Sequence, residues 1–417
     1  SDAIMLDWEK DTPEYAEKPG DFLRNNTFFG GTLTGIADKL DYISSLGVDL
    51  IYLSPVFTAY SNHKYDTGDY MSVDPMFGGD EALKTLIDGC HKRGIRIILD
   101  GVFNHVGDDS IYFDSGNKYG GALHNPSSPY REWFNISPDG GYECWWGVKN
   151  LPKVIKCDSF RSYICDTVIP KYMKMGIDGW RLDVVDEYPE SFLERITSAS
   201  KSIDRNAYIL GEVWEDASNK EAYGVRRRYF ADRELDGVMN YGLTKALIDY
   251  LVDGALTARQ AASRLTRLFF RTTSISARMM MNLLDSHDTD RFLTLLRGDR
   301  QRLKLALCLL FFFPGMPCVY YGDEIGMTGG YDPDCRKGFI WDETAWDAEL
   351  RRHVQLLARL KTGGRLAGDV IRISASDDVL TLEREELTLL INASSRAARY
   401  CFRGREGQIA ANGFVIL

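Results

Sequence analysis

From about residue 34 to residue 360 seven short β-rich runs alternate with helical stretches, each of the first helices stops at a glycine, and polar residues gather at the C-terminal ends of the runs. These three observations predict an α/β chain built on a (β/α)₈ TIM barrel rather than a doubly wound sheet. Residues 36–46 read as a helix that stops at Gly47 and feeds VDLIYLSP. Residues 81–92 stop at Gly94 before IRIILD, and 161–175 stop at Gly176 before DGWRLD. Glycine suits each stop because it adopts the left-handed conformation that closes a helix. Further strands are expected at 207–212 (AYILGE), 235–240 (LDGVMN), 279–288 (MMMNLLDSHD) and 317–324 (PCVYYGDE). No Gly-rich dinucleotide loop and no phosphate-binding loop follows any of them.

Two segments break this rhythm. Residues 101–160 are rich in Gly, Pro, Ser and aromatic residues and too long for an ordinary βα loop, so they are expected to form an inserted lobe over the barrel mouth. After Gly363 and Gly364 the texture changes to VIRISA, VLTLEREE, LTLLINAS, ARYCFR and GFVIL, which predicts a small antiparallel β domain over 363–417. The barrel itself then occupies 1–100 and 161–362.

Composition narrows the function. The 417 residues are 44% apolar and 26% charged, as in a globular protein, and 12% aromatic with 8 Trp and 22 Tyr. Fifty basic against sixty acidic side chains leave a net charge of −10, which argues against a nucleic-acid partner. The longest apolar run, 305–313, is followed by Pro314 and Gly315 and falls short of a membrane span, so no membrane partner is expected. Eight cysteines without a CxxC pair suggest neither a disulfide scaffold nor a zinc ribbon, and fit the reducing cytoplasm. The opening SDAIMLDWEKD carries no basic and apolar pattern of a signal peptide.

The strand ends hold the chemistry. In Gly179-Trp180-Arg181-Leu182-Asp183 the period of two puts Arg181 and Asp183 on one side, where they compensate each other or face a polar substrate. Glu212 ends the next run beside Trp214; Asp285, His287 and Asp288 end a later one; Asp100, Asn104 and His105 end an earlier one. Singly these read as a buried salt bridge, a solvated strand end, a helix cap and a structural histidine. Together they set at least three acids around one rim, where like charges raise the pKa of one of them, as a general acid requires. Paired acids with exposed rings such as Tyr65, Trp146 and Trp214 suit cleavage of a glycosidic bond, and a carboxyl separation of about 5–5.5 Å would retain configuration.

The motifs DGVFNH (100–105), GWRLDVVDE (179–187), GEVW (211–214) and LLDSHD (283–288) resemble, in order and spacing, the four signature regions of the α-amylase family of glycoside hydrolases. Within that family NHKYDTGDY, VKNLPKV, YYGDEIGMTGGYDPDCRK and IWDE are similar to the cyclomaltodextrinase, neopullulanase and maltogenic amylase subgroup, usually intracellular enzymes that act on cyclodextrins, maltooligosaccharides and pullulan. The resemblance implies that Asp183 is the nucleophile, Glu212 the general acid/base and Asp288 the third carboxylate that helps keep Glu212 protonated. It implies that Arg181 orients Asp183 and holds it ionised, that His105 and His287 bond the sugar, and that Tyr65 stacks on it with Asp66 and His63 nearby. Asp334 and Arg336 match donor-side contacts, Trp214 an acceptor-side ring, and Lys153 the subgroup's LPK segment beside the groove, with Trp145 and Trp146.

The resemblance also implies features that this chain lacks. The family's first barrel strand should precede Phe28; residues 3–6 either fill it imperfectly or, as expected here, the parent protein carries an upstream segment. The subgroup's N-terminal β domain, which helps form its dimer, is missing as well, so the oligomeric state is left open, with a dimer one option for the parent. Asp186-Glu187 departs from the usual pairing, and the stretch near Thr32 lacks the acids of a calcium loop, so no cofactor is expected and calcium is left open. An α-1,6-glucosidase, a glucanotransferase and a non-catalytic carbohydrate-binding barrel are the competing readings.

Overall fold

The computed structural model describes residues 27–230, 234–366, 368 and 371–417, in two compact units. The proposed first-strand residues 3–6 lie outside the described residues. The first unit runs to Ser44 and takes in Val48–Glu212 and Glu221–Asp236; the second takes in Ser45–Gly47, Val213–Lys220 and Gly237–Leu417.

In the first unit four expected strands form a parallel sheet: β1 (Leu50–Leu53), β2 (Arg96–Gly101), β3 (Gly179–Leu182) and β4 (Tyr208–Gly211), in that spatial order. β3 and β4 are buried on both faces, as parallel strands under covering helices must be. The β2–β3 register sets Asp100 beside Arg181, and Arg181 pairs in turn with Leu210 of β4. That register brings the strand-end acids together.

The helices depart from expectation in instructive ways. The expected 36–46 helix is two, Leu33–Asp38 and Leu40–Ser45, and the first starts early because the Thr32 hydroxyl accepts the Gly35 N–H at 2.9 Å. The expected 81–92 helix is Gly79–His91. The expected 161–175 helix starts at Asp158 and contains a π turn, Ile164–Val168, just ahead of Pro170, which offers no N–H to the helical ladder. It stops at Gly176 with φ +114°, as the sequence requires.

Residues 102–157 hold only short 3₁₀ turns and isolated bridges, including His105 with Lys153 and Cys144 with Pro152. Aromatic packing substitutes for regular structure there: Tyr112, Tyr130 and Trp133 meet one another and Phe160 and Tyr163 of the following helix at centroid distances of 4.8–5.8 Å.

The second unit contains the other three expected strands in shortened form: β5 (Gly237–Val238), β6 (Met281–Asn282) and β7 (Met316–Pro317). β6 and β7 pair in parallel, and Met239 bridges Met281. β7 was expected from Pro317 to Glu324. The ladder ends after the Cys318 N–H reaches Asn282 O at 2.7 Å, and the chain then turns into the 3₁₀ segment Asp323–Ile325. The apolar run 305–313 is the interior of helix Arg300–Phe312, whose residues from Leu303 onward are all buried. Leu380, Leu382, Leu389 and Ile391 of the C-terminal sheet share its core.

That sheet orders β8 (Arg372–Ser376), β9 (Val379–Glu383), β10 (Thr388–Asn392) and the last strand, Gly413–Ile416, all antiparallel. Ala398–Phe402 pairs instead with Arg405–Ile409, a strand without apolar alternation that the sequence did not reveal. Among the described residues no helix is long and apolar enough to cross a membrane.

Gly179 shows how tightly the parallel sheet is built. A Cβ there would lie 2.0 Å from Tyr208 O, and its φ is +151°. The expected outcome of Gly179→Ala is a loss of about 3 kcal/mol or more in urea unfolding, because neither backbone can yield without breaking β3–β4 pairing.

Candidate active site

At the C-terminal end of the parallel sheet three carboxylates converge on one guanidinium. Arg181 is fully buried. Its Nη1 donates to Asp183 Oδ1 at 2.8 Å and to Asp100 Oδ1 and Oδ2 at 3.0 and 3.1 Å, while Nη2 lies 3.0 Å from Glu212 Oε1. Asp100 also accepts the hydroxyls of Tyr52 and Tyr65 at 2.6 and 2.9 Å. The planar fork of arginine makes this possible, since a lysine ammonium has no fixed pair of nitrogens to hold two carboxylates apart.

Val184, next to Asp183, has φ +50° and ψ 46°, a left-handed conformation that a β-branched residue rarely takes. The strain, of order 1–3 kcal/mol, turns the Val184 N–H onto Glu212 Oε2 at 2.9 Å. Backbone and Arg181 therefore fix both oxygens of Glu212.

Burial, then the charge of Glu212, push the Asp183 pKa well above its ordinary value; Arg181 pulls the other way. The resemblance had Asp183 held ionised by Arg181. The ion pair with Arg181 opposes burial and the charge of Glu212 but does not outweigh them.

His105, at the end of β2, is buried with both ring nitrogens unpartnered among the described residues. Burial and then Lys156 lower its pKa to about 3, so the ring is neutral and presents one donor and one acceptor. It stacks on Trp145 at 5.1 Å. Lys156, held by Asn104 Oδ1 at 2.5 Å and Val154 O at 2.9 Å, is itself pushed down to about 7, chiefly by burial.

The remaining expected residues of this unit divide. Lys64 and Asp74, a buried pair at 2.7 Å, pin the loop that carries His63, Tyr65 and Asp66. His63 Nδ1 accepts the Tyr65 N–H at 3.1 Å, and the two rings stack at 6.0 Å. Asp66 faces its own loop, where both oxygens accept from Ser61. Lys153 lies 2.8 Å from Glu187, and Trp146 is 79% exposed.

Glu187 is the residue that sequence reasoning undervalued. Only 3% of its side chain is exposed, and it accepts from Trp145 Nε1 at 3.1 Å, the Tyr223 hydroxyl at 3.0 Å and Asn104 Nδ2 at 3.2 Å as well as pairing with Lys153. Burial would raise its pKa, but these partners, led by Lys153, hold it below the ordinary value. Its position four residues after Asp183 was the available signal.

In the second unit His287 Nε2 lies 3.0 Å from Asp288 Oδ2, and Arg336 Nη2 3.4 Å from Asp288 Oδ1. Arg336 Nε also donates to His287 O at 2.8 Å. Asp334 accepts the Gly330 N–H at 2.5 Å and pairs with Lys337, which holds its own loop together. Buried Arg291, which the sequence did not single out, anchors that loop through Cys335 O at 3.1 Å and Tyr321 O at 2.8 Å. Trp214, 46% exposed, stacks on Tyr241 at 4.1 Å and 8°. Among the described residues no group of three or more His, Cys, Asp and Glu could hold a metal ion.

Buried paired carboxyls with a fixed cation and a neutral imidazole can deliver and withdraw protons on a neutral polyhydroxylated substrate; this is the site type of a carbohydrate-cleaving enzyme. Residues 15–362 match the family described as alpha amylase, catalytic domain, and the chain belongs to it. Over 427 residues it is 38% identical to a cyclomaltodextrinase of Geobacillus thermopakistaniensis, covering 94% of this chain and 70% of that protein. It is 38% identical over 341 residues to an intracellular maltogenic amylase of Bacillus subtilis, covering 81% of this chain and 56% of that one. A cyclic alpha-maltosyl-(1→6)-maltose hydrolase from Arthrobacter globiformis superposes with TM-score 0.85 at 30% identity, covering 97% of this chain and 95% of that chain. The fold class is accordingly the (β/α)₈ barrel with a C-terminal β domain.

The raised pKa of Asp183 has a consequence for stability. Between the ordinary 3.8 and the raised folded value the folded protein binds more protons than the unfolded chain, so this group's contribution falls as pH rises through that window. Asp183→Asn is expected to melt above wild type at pH 7, with the gap closing toward pH 4; a gap independent of pH would contradict this.

Proposed function

We propose that the chain hydrolyses α-1,4-glucosidic bonds in cyclodextrins, maltooligosaccharides or pullulan with retention of configuration. The observation that carries this reading is the shared guanidinium. Asp183 and Glu212 contact the two terminal nitrogens of Arg181 within 3.0 Å, which favours the close carboxyl spacing of retaining enzymes over the wider one that admits a water.

In this reading a carboxylate oxygen of Asp183 attacks the anomeric carbon while Glu212 gives its proton to the departing glucosyl oxygen. The carbon–oxygen bond to the leaving sugar breaks and an ester to Asp183 forms. Water then attacks the same carbon, Glu212 takes up its proton, and Asp183 leaves as the carboxylate. Arg181, 2.8 Å from Asp183, steadies its carboxylate for attack. His105 offers its unpaired ring nitrogens to sugar hydroxyls. Asp288 takes the third-acid role by its place in LLDSHD, with His287, Arg336 and Asp334 binding sugar beside it and Trp214 stacking on the acceptor side. Tyr65 and His63 supply a ring platform, Asp66 shapes their loop, and Lys153 and Trp146 line the lobe. No cofactor enters, because acid and nucleophile are both side chains; calcium stays outside the chemistry. Eight free cysteines and a relative named as intracellular support a cytoplasmic setting.

A second reading, attack on α-1,6-linked or mixed cyclic glucans, is favoured by the similarity to the maltosyl-(1→6)-maltose hydrolase. Product analysis on β-cyclodextrin, pullulan and starch separates the two. The expected outcome is opening of β-cyclodextrin, with Glu212→Gln lowering turnover about 10²- to 10⁴-fold. Turnover of pullulan at its α-1,6 bonds alone would favour the second reading, and full activity in Glu212→Gln would remove both.

A further inference from the structure

The first unit carries a row of aromatic rings that the catalytic assignment does not use up. It starts at buried His105, which stacks on Trp145 at 5.1 Å; Trp145 lies 5.7 Å from Trp146; and the Trp146 side chain neighbours the Tyr223 hydroxyl. The row thus leads from an imidazole with unpaired nitrogens to two rings that are 79% and 65% exposed.

Both outer rings stand on backbone that such residues seldom occupy. Trp146 has φ +50° and ψ 29°, and Tyr223 has φ +54°. Tyr223 and Gly224 form the two-residue turn of the ribbon Glu221–Ala222 and Val225–Arg226, with both φ positive. Asn-Gly is the ordinary choice for that turn, since asparagine tolerates the left-handed region and a tyrosine does not. Local preference therefore works against Tyr223, and what tyrosine adds over asparagine is a ring face and a hydroxyl. The hydroxyl is spent on Glu187 at 3.0 Å, which ties the ribbon tip to the carboxylate four residues from Asp183. The ring face is left to solvent.

We propose that Tyr223 is a specificity-determining residue, which together with Trp146 stacks on a glucosyl ring one or more units away from the bond being cleaved and so favours longer α-glucans over short ones. The inference rests on the glucan-hydrolase reading. A flat sugar face suits an exposed ring, and the row's continuity with His105 and Glu187 puts such a ring on the same path as the cleavage site. Glu187 then acts as the positioning residue: it fixes Trp145 and Tyr223 at once, so the row keeps its spacing.

The test compares kcat/KM for maltoheptaose with that for maltotriose in wild type, Tyr223→Phe and Tyr223→Asn. Tyr223→Asn removes the ring and improves the turn but gives up the hydroxyl bond to Glu187; Tyr223→Phe gives up the same bond and keeps the ring, so the difference between the two variants reports the ring itself, and their melting temperatures check the fold. The maltoheptaose-to-maltotriose ratio is expected to fall about 3- to 10-fold in Tyr223→Asn through KM, the size of one aromatic contact, and less in Tyr223→Phe, which keeps the ring. An unchanged ratio in Tyr223→Asn, with wild type active, overturns this inference alone. A wild type that cleaves neither substrate overturns the hydrolase reading and this inference with it.

Discussion

Arg181 lies fully buried among Asp100, Asp183 and Glu212, and its charge is what makes three carboxylates at neighbouring strand ends tolerable. Without that cation the sheet would close on uncompensated negative charge, and nothing would fix the relative position of the two acids proposed to work on substrate. The cation in turn depends on the β2–β3 register that pairs Asp100 with Arg181, and on the β3–β4 pairing that Gly179 permits by letting β3 approach Tyr208. Stability and chemistry pull against each other here. The arrangement keeps Asp183 above its ordinary pKa, a cost that a purely structural salt bridge would have no reason to carry.

A second hub, Glu187, performs the corresponding task for the irregular lobe. Residues 102–157 have little regular structure, so their position relative to β2 and β3 within this unit comes from a few backbone bridges and from side chains. Trp145 and Lys153 of the lobe, Asn104 at the end of β2 and Tyr223 of the ribbon all meet on one carboxylate. The strand end proposed to carry the chemistry and the surfaces proposed to bind sugar are thereby linked through one buried acid with four partners, a network in which each member stays satisfied.

Much of this was legible in the sequence, for physical reasons. Four parallel strands and the helix stops before the first three could be read because each strand is a short, mostly apolar run, the first three follow a glycine, and Gly176 marks a left-handed stop. The pairing of Arg181 with Asp183 followed from the period of two. The short strands at Met281 and Met316 were overestimated, because an apolar run does not reveal where a ladder ends. The strand Arg405–Ile409 was missed because REGQI has no alternation to read. In the site, the motif residues announced themselves, but Asp66 turned toward Ser61 and Glu187 became a hub through contacts 34 to 83 residues apart in sequence. The left-handed Val184 that delivers its N–H to Glu212 has no sequence signature, since nothing in a valine foretells positive φ.

The central claim is that Arg181 holds Asp183 and Glu212 as a nucleophile and acid/base pair, and the stereochemistry of the first product reports on that pairing directly. Proton NMR during the opening minutes of maltoheptaose cleavage, before mutarotation, distinguishes the two anomers. The account predicts that the α-anomer appears first and the β-anomer only later by mutarotation. Initial release of the β-anomer would mean a water attacking in place of Asp183, and would contradict it.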